Sequence, residues 1–223
     1  MIGSTILDKL EEVPDRYRFK HHYILYALDS QILLQLLNAI AEKHRVEIRN
    51  LNPRYGNETV HKVCPLKIFT STQGGRQYLL CWHFEARKMM FFRLDYIQTV
   101  KDLGAEENMP KMAQRLREFL PFCWGTSTGT SETVQHLQMT VTFTDAESHI
   151  PQRLEREKRN GTVEYLDGNT CRYSADVYDA REMLPWIRTF TGRITELKCS
   201  DESVVTRFYE DLEQMYDLYG GEG

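Results

Sequence analysis

The chain has 223 residues, 41% of them hydrophobic and 27% charged, a composition that excludes global disorder and allows one or two folded domains. Its net charge of −4 hides a bias, because residues 43–101 hold eleven basic and four acidic side chains, a balance of +7 that suits either an anion-binding module or a solvated basic face. Five scattered cysteines without a C-x-x-C pair point to reduced thiols in a cytoplasmic compartment rather than to a disulfide framework. No clustered metal ligands, secretory signal or membrane-length apolar run stands out.

The first thirty residues have no clean period, and Pro14 interrupts them. Asp29 and Ser30 are good N-caps for SQILLQLLNAIAEKH, where Ile32, Leu33, Leu36, Leu37 and Ile40 make one face of an amphipathic helix. VEIRNL (46–51) and VHKVCPLKIF (60–69) read as strands separated by NPRYGNE, and STQGG turns into QYLLCWHFEARKMMFFRLDYI (77–97). In that hairpin Tyr78, Leu80 and Trp82 share one face and Leu79, Cys81 and His83 the other. Both faces are apolar near the EARK turn, which predicts a hairpin that is central in its sheet or covered by a helix. A helix is predicted from Pro110 to Leu120, followed by a Gly/Ser/Thr stretch, WGTSTGTSET (124–133), that reads as a linker.

Beyond it VQHLQMTVTF alternates as a strand and AESHIPQRLEREKRN reads as a helix. TVEYL and TCRYSADV are strands joined by DGN, DAREMLPWIRTF is a helix and RITELKC a strand. This β-α-β-β-α-β order is the ferredoxin-like arrangement. The last helix, SDESVVTRFYEDLEQMYDLYGG, is predicted to bury Val205, Phe208, Leu212, Met215 and Tyr219 as one stripe and to stop at Gly220.

The amphipathic helix, the basic strand, KVCPLKIF and a hairpin with Gln77-Tyr78-Leu79 in its first strand and Phe92-Arg93-Leu94-Asp95-Tyr96-Ile97 at its close resemble the WYL-domain family. EMLPWIRTFTG (182–192) resembles the pattern of the C-terminal, WCX-type extension that often follows such domains. The chain departs from the family at Gln77, Phe84, Ala86 and Tyr96. The resemblance implies an α+β chain: a small Sm-like β-barrel, then a ferredoxin-like domain and a C-terminal helix. The expected divisions are a connecting segment 1–29, the WYL domain 30–122, a linker 123–133 and the extension 134–223. It also implies a ligand-sensing module of a bacterial transcription regulator that works as a homodimer and binds a nucleotide or single-stranded nucleic acid. The segment ahead of the helix is too short for the family's usual winged helix-turn-helix, so DNA would be reached only through a helix-turn-helix not present in this chain. A stand-alone single-strand-binding accessory protein, for example of a CRISPR effector, and a purely structural dimerisation piece are the alternatives.

Arg93 is the expected centre of the ligand site, because a guanidinium offers a planar fork of donors matched to phosphate. Tyr78 would stack a base or donate to a phosphate, Lys62, Arg87 and Lys88 would add charge around the same mouth, and His83 adjoins them. The bland alternative pairs Arg93 with Asp95 or Glu47 as an ordinary ion pair. No catalytic group is expected: Cys81 and His83 lack an orienting third member, and no G-x-x-x-x-G-K loop is present. No cofactor is expected either.

Overall fold

The computed structural model describes residues 30–52, 56–70, 76–129 and 133–220. The connecting segment 1–29, the Asp29 cap and the STQGG turn (71–75) lie outside the described residues. Two units divide the chain, Met1–Glu118 and Phe119–Gly223, and each carries one antiparallel sheet.

The first unit opens with α1 (Ser30–Glu42) and continues through β1 (His44–Asn52), β2 (Asn57–Thr70), β3 (Gln77–His83), β4 (Lys88–Arg93) and β5 (Ile97–Ala105) to α2 (Met109–Phe119). Helix α1 buries Ile32, Leu36 and Ala39, which recur one turn apart. Leu37, expected on that face, is 46% exposed. The helix stops at Lys43, whose φ of 60° takes the left-handed conformation that ends helices.

The strands run β4-β3-β2-β1-β5, with every neighbouring pair antiparallel. Pro65 sits inside β2, a position proline normally avoids because it has no N–H for the ladder. The ladder with β3 shifts by one residue between Pro65 and Lys67, so the proline lies at a bulge that bends the strand. The inner face of the sheet (Val46, Ile48, Val63, Leu79, Cys81, Phe92) closes on Ile32, Leu36 and Ala39 of α1. On the other face, Arg115 of α2 lies 3.7 Å over the ring of Trp82, and Cys64 meets Met109 at 3.5 Å. Helices therefore lie on both faces near the turn end, so of the two alternatives, a central hairpin or one covered by a helix, the second holds.

The second unit contains β6 (Gln135–Thr142), α3 (His149–Glu157), β7 (Thr162–Tyr165), β8 (Thr170–Val177), α4 (Leu184–Ile187), β9 (Ile194–Cys199) and α5 (Glu202–Tyr219). Its strand order is β7-β8-β6-β9. Leu137, Met139 and Val141 alternate onto one face with Cys171, Tyr173, Ala175 and Val177, and Ile150, Leu154, Ile187 and Phe208 pack on them.

Three sequence expectations change in this unit. The helix read across DAREMLPWIRTF splits into two 3-10 turns around the four-residue α4. Pro185 has no N–H for Arg181 O, which instead accepts the tighter bond from Leu184 N. The stretch read as a linker is, in its described part, folded into the second unit: Trp124 is 5% exposed in the core, Thr126 N donates to Glu182 Oε1 at 2.8 Å, and Ser127 Oγ donates to Asp179 at 2.6 Å. Finally, α5 buries Val204 and Phe208, but Met215 and Tyr219 of the expected stripe are 50% and 85% exposed.

Candidate functional site

The ladder of the β3–β4 hairpin places Tyr78 opposite Arg93, and Phe69 of β2 lies on the other side of Tyr78. The next row on that face is Lys67, Leu80 and Phe91. Leu80 is buried, Phe69, Tyr78, Phe91 and Arg93 are half-buried, and Lys67 is exposed. Phe69 and Phe91 meet edge to face at 5.4 Å between ring centroids, and Lys67 Nζ lies 5.9 Å from the Phe69 centroid. The outcome is a strip of three aromatic rings flanked by two cations. Phe69 and Lys67 belong to it only because the bulge after Pro65 moves them onto the Tyr78 face; the proline in the strand was the available signal.

Arg93 does not offer a free fork. Its Nε donates to Asp95 Oδ1 at 3.0 Å and a terminal nitrogen donates to Asp95 Oδ2 at 2.5 Å, while the guanidinium carbon lies 3.9 Å over the Tyr96 ring. The hydrogen bond to Asp95 raises the proton affinity of Arg93 above its ordinary value. The bland alternative thus holds with Asp95, and not with Glu47. A pair with side chains 24% and 31% exposed is worth at most about 1 kcal/mol. It uses two of the five donors of the guanidinium.

The other expected ligand residues do not join this site. His83 pairs with Lys88 across the ladder, and Lys62 O accepts from Phe84 N at the turn. Five residues of strand separate His83 from Tyr78, roughly 17 Å at the usual rise. Lys62, Arg87 and Lys88 therefore belong to the turn end of the hairpin, not to the mouth around Arg93. His83 is only 4% exposed and lies on the core face, stacked with Phe92. Its Nε2 is 2.9 Å from His61 Nδ1, and its Nδ1 accepts from Ala86 N at 3.1 Å. Cys81, on the same face, donates to Met90 O instead of meeting His83. His61 was not foreseen, since only the strand register brings it beside His83.

Among the described residues, Glu42, His44 and Asp102 form the one group of three possible metal ligands; His44 Nδ1 lies 2.7 Å from Asp102, and that bond raises the histidine's proton affinity. Burial pushes the thiols up, to about 12 for Cys64 and Cys123 and about 11 for Cys171, with Cys81 also well above its ordinary range. Iodoacetamide at about pH 8 is expected to alkylate these four thiols far more slowly in the native protein than in denaturant. Rapid native labelling of Cys64 or Cys81, read by mass spectrometry, contradicts the packing described.

Residues 31–102 match the family model of the WYL domain. The whole β3–β4 hairpin and its aromatic strip lie inside this match. Among solved structures, the fold is similar to a crystal structure of a CRISPR Cas-related protein, with a TM-score of 0.50 and 12% identity over 85% of this chain and 51% of that one. Proteasome accessory factor B/C (PafBC) of Arthrobacter aurescens aligns with a TM-score of 0.38 and 13% identity, over 85% of this chain and 27% of that one. The chain thus spans about half the length of the first and about a quarter of the second. No curated protein matches the chain. No helix among the described residues is long and apolar enough to cross a membrane.

Proposed function

We propose that this chain is the ligand-sensing part of a WYL-type transcription regulator, acting as a cytoplasmic homodimer. On this reading its WYL domain takes a nucleotide or a short single-stranded nucleic acid on the outer face of the β3–β4 hairpin. The observation that carries the reading is the half-exposed strip of Phe69, Tyr78 and Phe91 between Lys67 and Arg93. Aromatic faces stack bases of any sequence, and flanking cations follow the phosphates, which together make a single-strand platform. The five-stranded sheet behind a leading helix fits an Sm-like barrel bent by its bulges. The β7-β8-β6-β9 order fits a ferredoxin-like extension. The role is binding rather than catalysis.

A second reading, a stand-alone accessory protein acting on single-stranded nucleic acid of another system, is supported by the likeness of fold to the CRISPR Cas-related protein. Ligand size separates the two. A sensor takes mononucleotides or dinucleotides as well as it takes oligonucleotides, whereas an accessory protein gains affinity with each added nucleotide.

The test is fluorescence anisotropy with labelled oligonucleotides and competing nucleotides across a salt series. Tyr78→Ala is expected to weaken binding by about 1–3 kcal/mol, and Lys67→Ala to lower the salt slope by about one contact. Asp95→Asn, which frees the Arg93 fork, is expected to tighten binding and steepen the slope. No binding at low salt, or variants indistinguishable from the parent chain, ends this reading.

A further inference from the structure

Thr59, His61, His83 and the backbone of Ala86 form a continuous hydrogen-bonded relay along the core edge of the WYL domain. Its direction follows from its ends. Ala86 N is a donor, so His83 Nδ1 carries no proton and His83 Nε2 does. His83 Nε2–H then donates to His61 Nδ1, His61 Nε2–H donates to Thr59 Oγ1 at 2.8 Å, and the Thr59 hydroxyl donates to Asn50 O at 3.3 Å. Every link is satisfied with both rings neutral.

We propose that the His61–His83 pair is a proton-operated latch on the β3–β4 turn, closed when both rings are neutral and opened when the pair takes up one proton. Four ring nitrogens with three protons leave one vacant acceptor. If the vacancy stays between the rings, the proton sits on His83 Nδ1 and faces Ala86 N–H, donor against donor. If the vacancy stays at His83 Nδ1, both facing nitrogens carry protons at 2.9 Å and the rings repel. One proton therefore breaks at least one link whatever its position. The first arrangement lets the rings share the charge through a charge-assisted bond, so the link lost is the one to Ala86.

Among the described residues, the charged groups that act on the pair are Glu85 and Lys88. Glu85 favours the proton, while burial and the second ring at His61, and burial and Lys88 at His83, oppose it, so both rings hold a proton less readily than an ordinary histidine. From α1 the same core receives the apolar Ile32, Leu33, Leu36 and Ala39, and from β1 the paired residues are Ile48 and Asn50. With folded affinities lowered, the latch contributes its full stability above the ordinary value of 6.5 and loses it progressively as pH falls from there towards the lowered values. The released turn carries Arg87, held at a φ of 52°, and Lys88, so acidification mobilises two cations of the WYL domain. The latch operates whether or not the outer face binds a ligand.

Amide exchange of the full chain, corrected for intrinsic rates, tests it between about pH 7.5 and pH 5. Protection at Ala86 is expected to fall about ten-fold per pH unit once the pair titrates, the signature of one proton. In His83→Asn the side-chain oxygen takes the place of Nδ1 and cannot titrate, so protection at Ala86 is expected to stay flat. Unchanged protection in the parent chain, or the same pH-dependent loss in His83→Asn, overturns the latch. Should His83→Asn not fold, ring nitrogen shifts of the parent chain decide. His83 and His61 must each show Nδ1 as the unprotonated nitrogen at neutral pH, and the reverse tautomer at either ring overturns the latch as well.

Discussion

Leu36→Ala is expected to destabilise the first unit by about 2–5 kcal/mol, the range for deleting a fully buried leucine and leaving a hole. Leu36 is 0% exposed and sits among Val46, Ile48, Val63 and Leu79 on the inner face of the sheet. These neighbours lie on three different strands, and a sheet whose ladder fixes them cannot collapse to refill the space. A loss of that size is a large part of the roughly 5–15 kcal/mol that holds an ordinary domain together. Chemical denaturation gives the magnitude, and amide exchange gives the place: β1 to β5 should lose protection. A cost below about 1 kcal/mol, typical of an exposed site, contradicts the core described.

Gly161→Ala is expected to cost roughly 2–5 kcal/mol through two separate causes. Its φ of +80° is one that L side chains avoid, and an added Cβ would lie 2.4 Å from Ser174 O and 2.8 Å from Ala175 Cβ. Relief requires moving the loop away from β8, and that loop also carries Asn160, whose carbonyl accepts from Tyr173 OH at 3.0 Å and whose side chain donates to Pro121 O. Damage should therefore spread to the packing of Tyr173 on Trp186. Gly168→Ala is the control, because nothing lies within 4 Å of the added carbon. Equal melting temperatures for the two variants contradict the geometry at Gly161.

Much of the fold was legible because alternation and helical spacing act locally. VEIRNL, the hairpin strands and VQHLQMTVTF all formed as read, with ends shifted by a residue or two. What escaped depended on distant partners. The Gly/Ser/Thr stretch looks like a linker until Asp179 and Glu182, more than fifty residues on, take its polar groups. The α4 break was written in Pro185, but the apolar period around it spoke louder. At the site, Tyr78 and Arg93 were each singled out from the sequence, and the ladder sets them opposite one another. The grouping of Lys62, Arg87, Lys88 and His83 with it failed because charge counts carry no distances, and His61 was hidden by register. The pairing of Arg93 with Asp95, two residues away, was the most readable contact of all.

Among the described residues, strand β4 ends the sheet on one side, and its sequence is KMMFFR. Four consecutive apolar residues on an end strand are the pattern that recruits strands from other molecules into fibrils. Lys88 and Arg93 stand at its two ends. A foreign copy of the same strand laid alongside meets like charge at both ends, lysine against arginine when antiparallel and each against its twin when parallel. The two cations thus act as gatekeepers that keep an adhesive ribbon from polymerising, a duty that would preserve them even if no ligand ever docked.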